Sequence, residues 1–194
     1  MEIIQLCDVS KAFDQHPVFV NWTHNFKAGM VHVLKGPSGC GKPTLLRMLM
    51  GLEAPDSGTI TSLQNYHKAA VFQEDRLCEN LSAVQNVFMV VHGQSKKELL
   101  NQLQHDFNQV GLDDMSQKVS TLSGGMKRRV AILRAMYAGA DILFFDEPLK
   151  GLDEATKEKV MIYIKDKIKD KTVFWVTHDA DEYTVFDKYQ LHEL

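Results

Sequence analysis

Several protein classes are excluded by what this chain lacks. Lysine and arginine number 22 against 25 aspartates and glutamates, a formal charge of −3, so there is no positive excess to hold nucleic acid by its phosphates. Cysteine is scarce and odd in number. Cys7, Cys40 and Cys78 lie far apart, which excludes a disulfide framework and predicts free thiols in a reducing compartment. The eight histidines are scattered with no HExxH pattern, and no Cys/His cluster of zinc-finger spacing is present. The most apolar runs, Ile142–Phe145 and Val87–Val91, fall far short of the roughly 20 residues of a membrane-spanning helix. Met1 to Gln5 has no basic stretch leading into an apolar core, so no signal peptide is expected there. No internal repeat and no Pro/Gly/Ser-rich linker breaks the chain.

What remains is globular: 44% hydrophobic and 24% charged over 194 residues, enough for one domain with a packed core. Ile4 and Leu6 alternate with polar residues, Val18–Phe26 is rich in β-branched and aromatic residues, and Val31-His32-Val33-Leu34 is a short apolar strand. Leu45 to Leu49 predicts a helix ended by Gly51, with Thr59–Leu63 and Ala69–Phe72 as further strands. The middle changes period. Leu81, Val84, Val87, Phe88 and Val91, then Leu99, Leu103, Phe107 and Val110, recur at helical spacing. This predicts a helical insert over 74–122. Beyond it come a helix (Gly125–Tyr137), a strand (Ile142–Phe145), a helix (Glu154–Lys169), a strand (Thr172–Val176) and a last helix and strand. Such alternation implies an α/β fold with a mainly parallel sheet.

Three patterns carry chemistry. Gly36-Pro37-Ser38-Gly39-Cys40-Gly41-Lys42 matches GxxxxGK between a predicted strand and a predicted helix, the setting of a phosphate-binding loop. Glycines let backbone N–H groups turn toward phosphate oxygens, the helix start adds a favourable dipole, and Lys42 supplies a point charge. The motif asks next for a hydroxyl to ligate Mg²⁺. Pro43 stands there, followed by Thr44. Proline is sterically acceptable in a first helical turn but offers neither hydroxyl nor N–H. Thr44 points about 100° away and cannot simply take over, though it can still meet a phosphate oxygen. Either water replaces the missing ligand or the site is weakened or non-hydrolysing. The second pattern is the apolar run Ile142–Phe145 ending in Asp146 and Glu147. It predicts a strand that delivers one carboxylate to Mg²⁺ and another to an attacking water. The third is Leu122-Ser123-Gly124-Gly125-Met126, which precedes a helix carrying Lys127, Arg128 and Arg129 in its first turns.

With Gln73 after a strand, Gly151-Leu152-Asp153 beyond the acidic run and Thr177-His178-Asp179 after the last core strand, the chain resembles the ATP-binding-cassette (ABC) ATPases. The motifs stand in that family's order over nearly the whole length. The resemblance implies a P-loop NTPase fold with an N-terminal antiparallel β subdomain, a single nucleotide-binding domain over 1–194, and ATP with Mg²⁺ as ligands. It makes Gly36, Pro37, Ser38, Gly39, Cys40, Gly41, Lys42, Pro43 and Thr44 the first phosphate loop, and Ser123, Gly124 and Gly125 the signature that meets the nucleotide of another subunit. Asp146 would hold Mg²⁺, Glu147 would be the base, Gln73 would touch both Mg²⁺ and the attacking water, and His178 would contact the γ-phosphate. Phe13 sits where the family stacks an aromatic on adenine, and stacking is the favoured reading over a core aromatic on an edge strand, with Phe19 also nearby. His178 alone would read as a surface histidine. The run Lys127–Arg129 is expected to be a solvated helix face and Cys40 a small loop filler.

The implied function is an ATP-hydrolysing subunit that dimerises around ATP, with an identical partner expected, and powers a separate membrane permease. It would sit in the cytoplasm against the inner face of the membrane. Leu149-Lys150-Gly151-Leu152-Asp153 resembles importers of the nitrate, sulfonate and taurine type, although Lys150-Gly151 replaces a common Ser-Ala pair. The end at Leu194 leads one to expect that the C-terminal helices of many members are missing. Two alternatives stay open: a soluble ATP-driven switch, and a binding-only subunit whose Pro43 has ended efficient hydrolysis.

Overall fold

The computed structural model describes residues 3–93 and 95–194, with the side chains of Lys96 and Glu98 left aside. Met1 and Glu2, part of the stretch read above for a signal peptide, lie outside the described residues. Among the described residues, eight strands and six α-helices follow in the order β1 (Ile3–Phe13), β2 (His16–Lys27), β3 (Val31–Lys35), α1 (Lys42–Met50), β4 (Ser57–Ile60), β5 (Lys68–Val71), α2 (Ala83–Phe88), α3 (Lys96–Gln109), α4 (Gly124–Tyr137), β6 (Ile142–Asp146), α5 (Glu154–Lys167), β7 (Thr172–Val176), α6 (Ala180–Tyr183) and β8 (Tyr189–Glu193). Two sheets form, a three-stranded one in the order β2-β1-β4 and a five-stranded one in the order β5-β6-β7-β3-β8. The chain divides into two compact units: Met1–Lys68, Asp141–Phe144 and Asp170–Leu194 make the first, and Ala69–Ala140 with Phe145–Lys169 the second.

In the first unit β1 pairs antiparallel with β2 and with β4. Asp14 and Gln15 both take positive φ (49° and 67°), the two-residue turn whose twist matches a hairpin. β3 is an interior strand, parallel to β7 on one side and to β8 on the other. A strand covered on both faces needs a continuous apolar run rather than alternation. Val31 to Leu34 and Thr172 to Val176 are accordingly buried at every position. Two of those buried residues are polar, Thr172 and His32. His32 Nε2 meets the Lys27 carbonyl at 2.8 Å, His32 Nδ1 meets His192 Nε2 at 3.0 Å, and His192 Nδ1 meets His24 Nε2 at 2.9 Å. A carbonyl only accepts, so His32 must carry its proton on Nε2. Each next ring must then also donate from Nε2, which fixes one tautomer along the chain.

The second unit holds α2 to α5. Ser82 and Gln85 form a reciprocal capping box that starts α2. That helix runs only from Ala83 to Phe88, shorter than the Leu81–Val91 periodicity predicts: the capping serine after Leu81 sets its start, and its C-cap falls at Met89. α3 carries Asp106, with no exposed surface, in the middle of its apolar face. Its carboxylate accepts from Gln102 Nε2 (2.7 Å), Tyr137 OH (2.9 Å) and Tyr163 OH (3.1 Å) and pairs with Lys167 Nζ (2.8 Å), so one buried anion ties α3 to α4 and α5. Burial, reinforced by this carboxylate, pushes both phenols above their usual range.

Candidate phosphate-binding and hydrolytic site

The first unit carries the phosphate loop between β3 and α1. Gly36, Gly39 and Gly41 take φ values of +150°, +86° and +99°, a conformation open to glycine and strained for other residues. Two of them are also fixed by space. A Cβ at Gly36 would lie 2.6 Å from both Cys40 Sγ and the Leu194 carbonyl oxygen, and one at Gly41 would lie 2.5 Å from Val18 Cγ1. The loop curls back on its own lysine. Lys42 Nζ donates to the carbonyls of Gly36 (2.7 Å) and Pro37 (2.9 Å) and lies 3.6 Å from Cys40 Sγ. The buried ammonium is thus held at the mouth of the turn, a position from which a phosphate oxygen can draw it. Cys40 is half-buried inside this ring, the small filler expected of it.

Pro43 occupies the first turn of α1 and is exposed. The first helical bond runs from Leu45 N to the Gly41 carbonyl (2.8 Å), so the missing proline N–H costs no helical bond. Parallel pairing places Leu34 opposite Val176, so β3 and β7 release the loop and His178 at the same edge of the sheet. His178 itself is exposed. Phe13 is 45% exposed, with Lys11 Nζ 5.1 Å from its ring centroid. Phe19, by contrast, is buried against Trp22.

The second unit carries the other residues. Asp146 ends β6 with its carboxyl buried, and Glu147 follows at φ +50°, a left-handed conformation that strains a residue with a Cβ. Lys150 reaches back to Glu147 as an ion pair. Asp153 caps α5 by accepting from Thr156 N and Oγ1. Ser123 caps α4 by accepting from Met126 N (3.3 Å). A Cβ on Gly125 would sit 3.2 Å from Leu152 Cδ2, so this helix start packs against the turn before Asp153. Gln73 is exposed in a segment outside any helix or strand.

One expectation is overturned. The run Lys127–Arg129 is not a solvated face. Arg128 is 8% exposed and donates from Nη1 to the Phe72 carbonyl and from Nη2 to the Gln73 carbonyl. Arg129 donates to the carbonyls of Gly125, Val110 and Gly111 (3.1, 3.0 and 2.7 Å). Lys127 alone points to a surface acid, Glu79. Helical spacing holds the signal that composition hides: Arg128 shares the i, i+3, i+4, i+7 face with Ala131, Ile132 and Ala135, all buried.

Comparison with known proteins agrees with this geometry. Residues 19–150 match the model of the ABC transporter family. The chain is 37% identical over 175 residues to the "Aliphatic sulfonates import ATP-binding protein SsuB 2" of Pseudomonas syringae, covering 89% of this chain and 74% of the relative. It is 34% identical over 199 residues to the "Fe(3+) ions import ATP-binding protein FbpC" of Pasteurella multocida, covering 93% of this chain and 56% of the relative. The chain therefore spans little more than half the length of some curated relatives it matches. Among solved structures, the ATP-binding cassette MJ0796, a dimer in a post-hydrolysis state bound to ADP and Pi, superposes with a TM-score of 0.82 at 27% identity, covering 98% of this chain and 96% of that one. On the family match, these relatives and the shared fold, the chain belongs to the ABC transporter family.

Proposed function

We propose that this chain is an ATP-binding and ATP-hydrolysing subunit that pairs with a second cassette, an identical copy being the simplest case, and drives a separate membrane permease. The observation that supports this most is the pair of anion-ready helix starts: Lys42 ringed by its own loop before α1, and Ser123-Gly124-Gly125 capping α4. Lys42 and the loop amides bind the β- and γ-phosphates of one nucleotide. The serine–glycine cap of the other subunit meets the γ-phosphate. Glu147 takes the proton of the attacking water, Gln73 orients that water, and His178 donates to the phosphate from the sheet edge it shares with the loop. Phe13, exposed and backed by Lys11, stacks on the base.

The donor set fits magnesium. Among the described residues, no cluster of three or more histidine, cysteine or acidic side chains builds a metal cage. Asp146 offers one buried carboxylate with Gln73 as a further oxygen, and magnesium accepts such a set with waters and substrate phosphates. When bound, the ion neutralises charge that develops on the phosphate oxygens.

Among the described residues no helix is long and apolar enough to cross a membrane. In this reading the pore belongs to a partner, against which the chain docks from the cytoplasm. Relatives carry names for iron(III), aliphatic sulfonate, spermidine/putrescine and taurine import, chemistries too different to assign one cargo. Pro43 supports a second reading, a subunit that binds ATP and turns it over poorly.

Magnesium-dependent phosphate release decides between these readings. Lys42→Ala is expected to lose nucleotide binding. Glu147→Gln is expected to keep binding, lose turnover and accumulate an ATP-held dimer on light scattering. Wild-type protein that binds ATP but releases no phosphate, alone or with its permease, would establish the binding-only reading.

A further inference from the structure

We propose that Arg128 is a positioning residue for Gln73, fixing the chain segment that carries it to the helix capped by Ser123. This rests on the proposed role of Gln73 at the attacking water.

Residues 72–76 follow β5 and belong to no helix or strand, so their carbonyls have no ladder partners. Two arginines of α4 replace the ladder. Arg128 donates from Nη1 and Nη2 to the carbonyls of Phe72 and Gln73, and its Nε lies 3.2 Å from Asp75 Oδ1. Arg134, six residues further along α4, donates from Nη2 to the Asp75 carbonyl (3.0 Å) and from Nη1 to the Arg76 carbonyl (2.8 Å). Four of the five carbonyls in the segment therefore end on one helix. Arg76, at φ +47°, closes the segment on itself by laying its guanidinium 4.1 Å from the Phe72 ring centroid.

The chemistry requires arginine. Arg128 spends Nη1 and Nη2 on two successive carbonyls and sets Nε beside the Asp75 carboxylate as an ion pair, a rigid fork that the point charge of lysine does not reproduce. The group is almost completely buried, with a side-chain exposure of 9% against 19% for Asp75. A buried cation stays bound to its partners, because leaving one unpaired is strongly unfavourable. The Gln73 backbone thus moves with α4 rather than as an independent loop. The helix that presents Ser123 and the side chain proposed to orient the water are one mechanical piece. A small displacement of Gln73 is enough to lower turnover, since misplacement by about 1 Å can cost on the order of a hundredfold.

The test is a double-mutant cycle on the full chain, measuring kcat and KM for ATP, nucleotide affinity and thermal unfolding of each variant. Arg128→Met keeps the stem and removes the fork. It is expected to lower kcat about tenfold while ATP affinity changes less than about twofold. Arg128→Lys is expected to restore little. In a Gln73→Ala background, Arg128→Met should cost less than about twofold more, since the residue it positions is gone. An equal loss in both backgrounds, or a full rescue by lysine, overturns the proposal. If Arg128→Met does not fold, Arg134→Met loosens the same segment from its other end and must show the same non-additivity with Gln73→Ala. A Gln73→Ala enzyme of unchanged kcat overturns the role of Gln73 itself, and the proposal with it.

Discussion

Lys150 Nζ stands 2.6 Å from Glu147 Oε2 across a single turn of chain, so the proposed base meets a cation that its own loop supplies. The ammonium is mostly in solvent, with a side-chain exposure of 69% against 17% for the carboxylate. Exposed pairs of this kind are worth at most about 1 kcal/mol and are screened by salt. That is enough to hold one carboxylate oxygen away from a water molecule. Lys150→Ala is therefore expected to raise kcat, by no more than about fivefold, at low ionic strength. Added salt should bring the wild-type enzyme toward the variant. A lower kcat in Lys150→Ala would show that the lysine aims the carboxylate rather than restrains it.

Pro43 sits exposed in the first turn of α1, where a hydroxyl can be introduced without disturbing a helical bond. Pro43→Ser is expected to tighten the magnesium dependence of turnover and raise its maximum. Equal turnover in both proteins across a magnesium titration would mean that water already serves as the missing ligand.

The histidine chain predicts an acid-sensitive fold. Burial in the first place pushes His32 and His192 down to about 4, with neighbouring histidines adding to it, and burial also lowers His24. The rings facing one another are these three; Phe26 packs edge-on against His32 and His192, and Phe174 stacks on His32. In the unfolded chain each ring takes a proton near 6.5. Between pH 6.5 and 4 the unfolded state thus binds more protons than the folded one, and stability falls as pH falls. Above 6.5 both states are neutral and this contribution is fully present. A loss on the order of 3 kcal/mol for each of His32 and His192 is expected over that window from urea midpoints. His192→Leu should flatten the slope while lowering stability at pH 7.5; an unaltered slope would place the acid sensitivity elsewhere.

Asp106 makes a different demand on the second unit. Asp106→Ala leaves two phenols and Lys167 without their shared acceptor, and is expected to cost on the order of 3 to 5 kcal/mol in urea unfolding. Asp106→Asn keeps an acceptor but no charge opposite Lys167, and should fall between the two. A loss below about 1 kcal/mol in the alanine variant would mean that α3, α4 and α5 are held by apolar packing alone.

The sheet was legible because β3 and β7 need apolar residues at every position, which Val31–Leu34 and Thr172–Val176 display. The loop from Gly36 to Lys42 was equally legible, since its conformation admits few residue types. What escaped was side-chain reach. Arg128 and Arg129 look like surface charge in a list of residues, yet their forks end on carbonyls as far as 56 positions away in the chain. Asp106 and His32 escaped for a related reason: a buried charge or ring is explained only by partners brought in from other elements. The start of α2 was decided by a capping box, a local signal that the hydrophobic period masked.

The left-handed backbone at Glu147 has a consequence for evolution in the laboratory. A residue with a Cβ pays on the order of 1 kcal/mol to stay there. Glycine or asparagine would relieve that strain and lose the carboxylate. A library of this chain selected for thermal resistance alone should therefore accumulate replacements at this one position, while a library selected for ATP-dependent growth should retain the glutamate. The two screens would diverge at residue 147, where robustness and chemistry ask for different side chains.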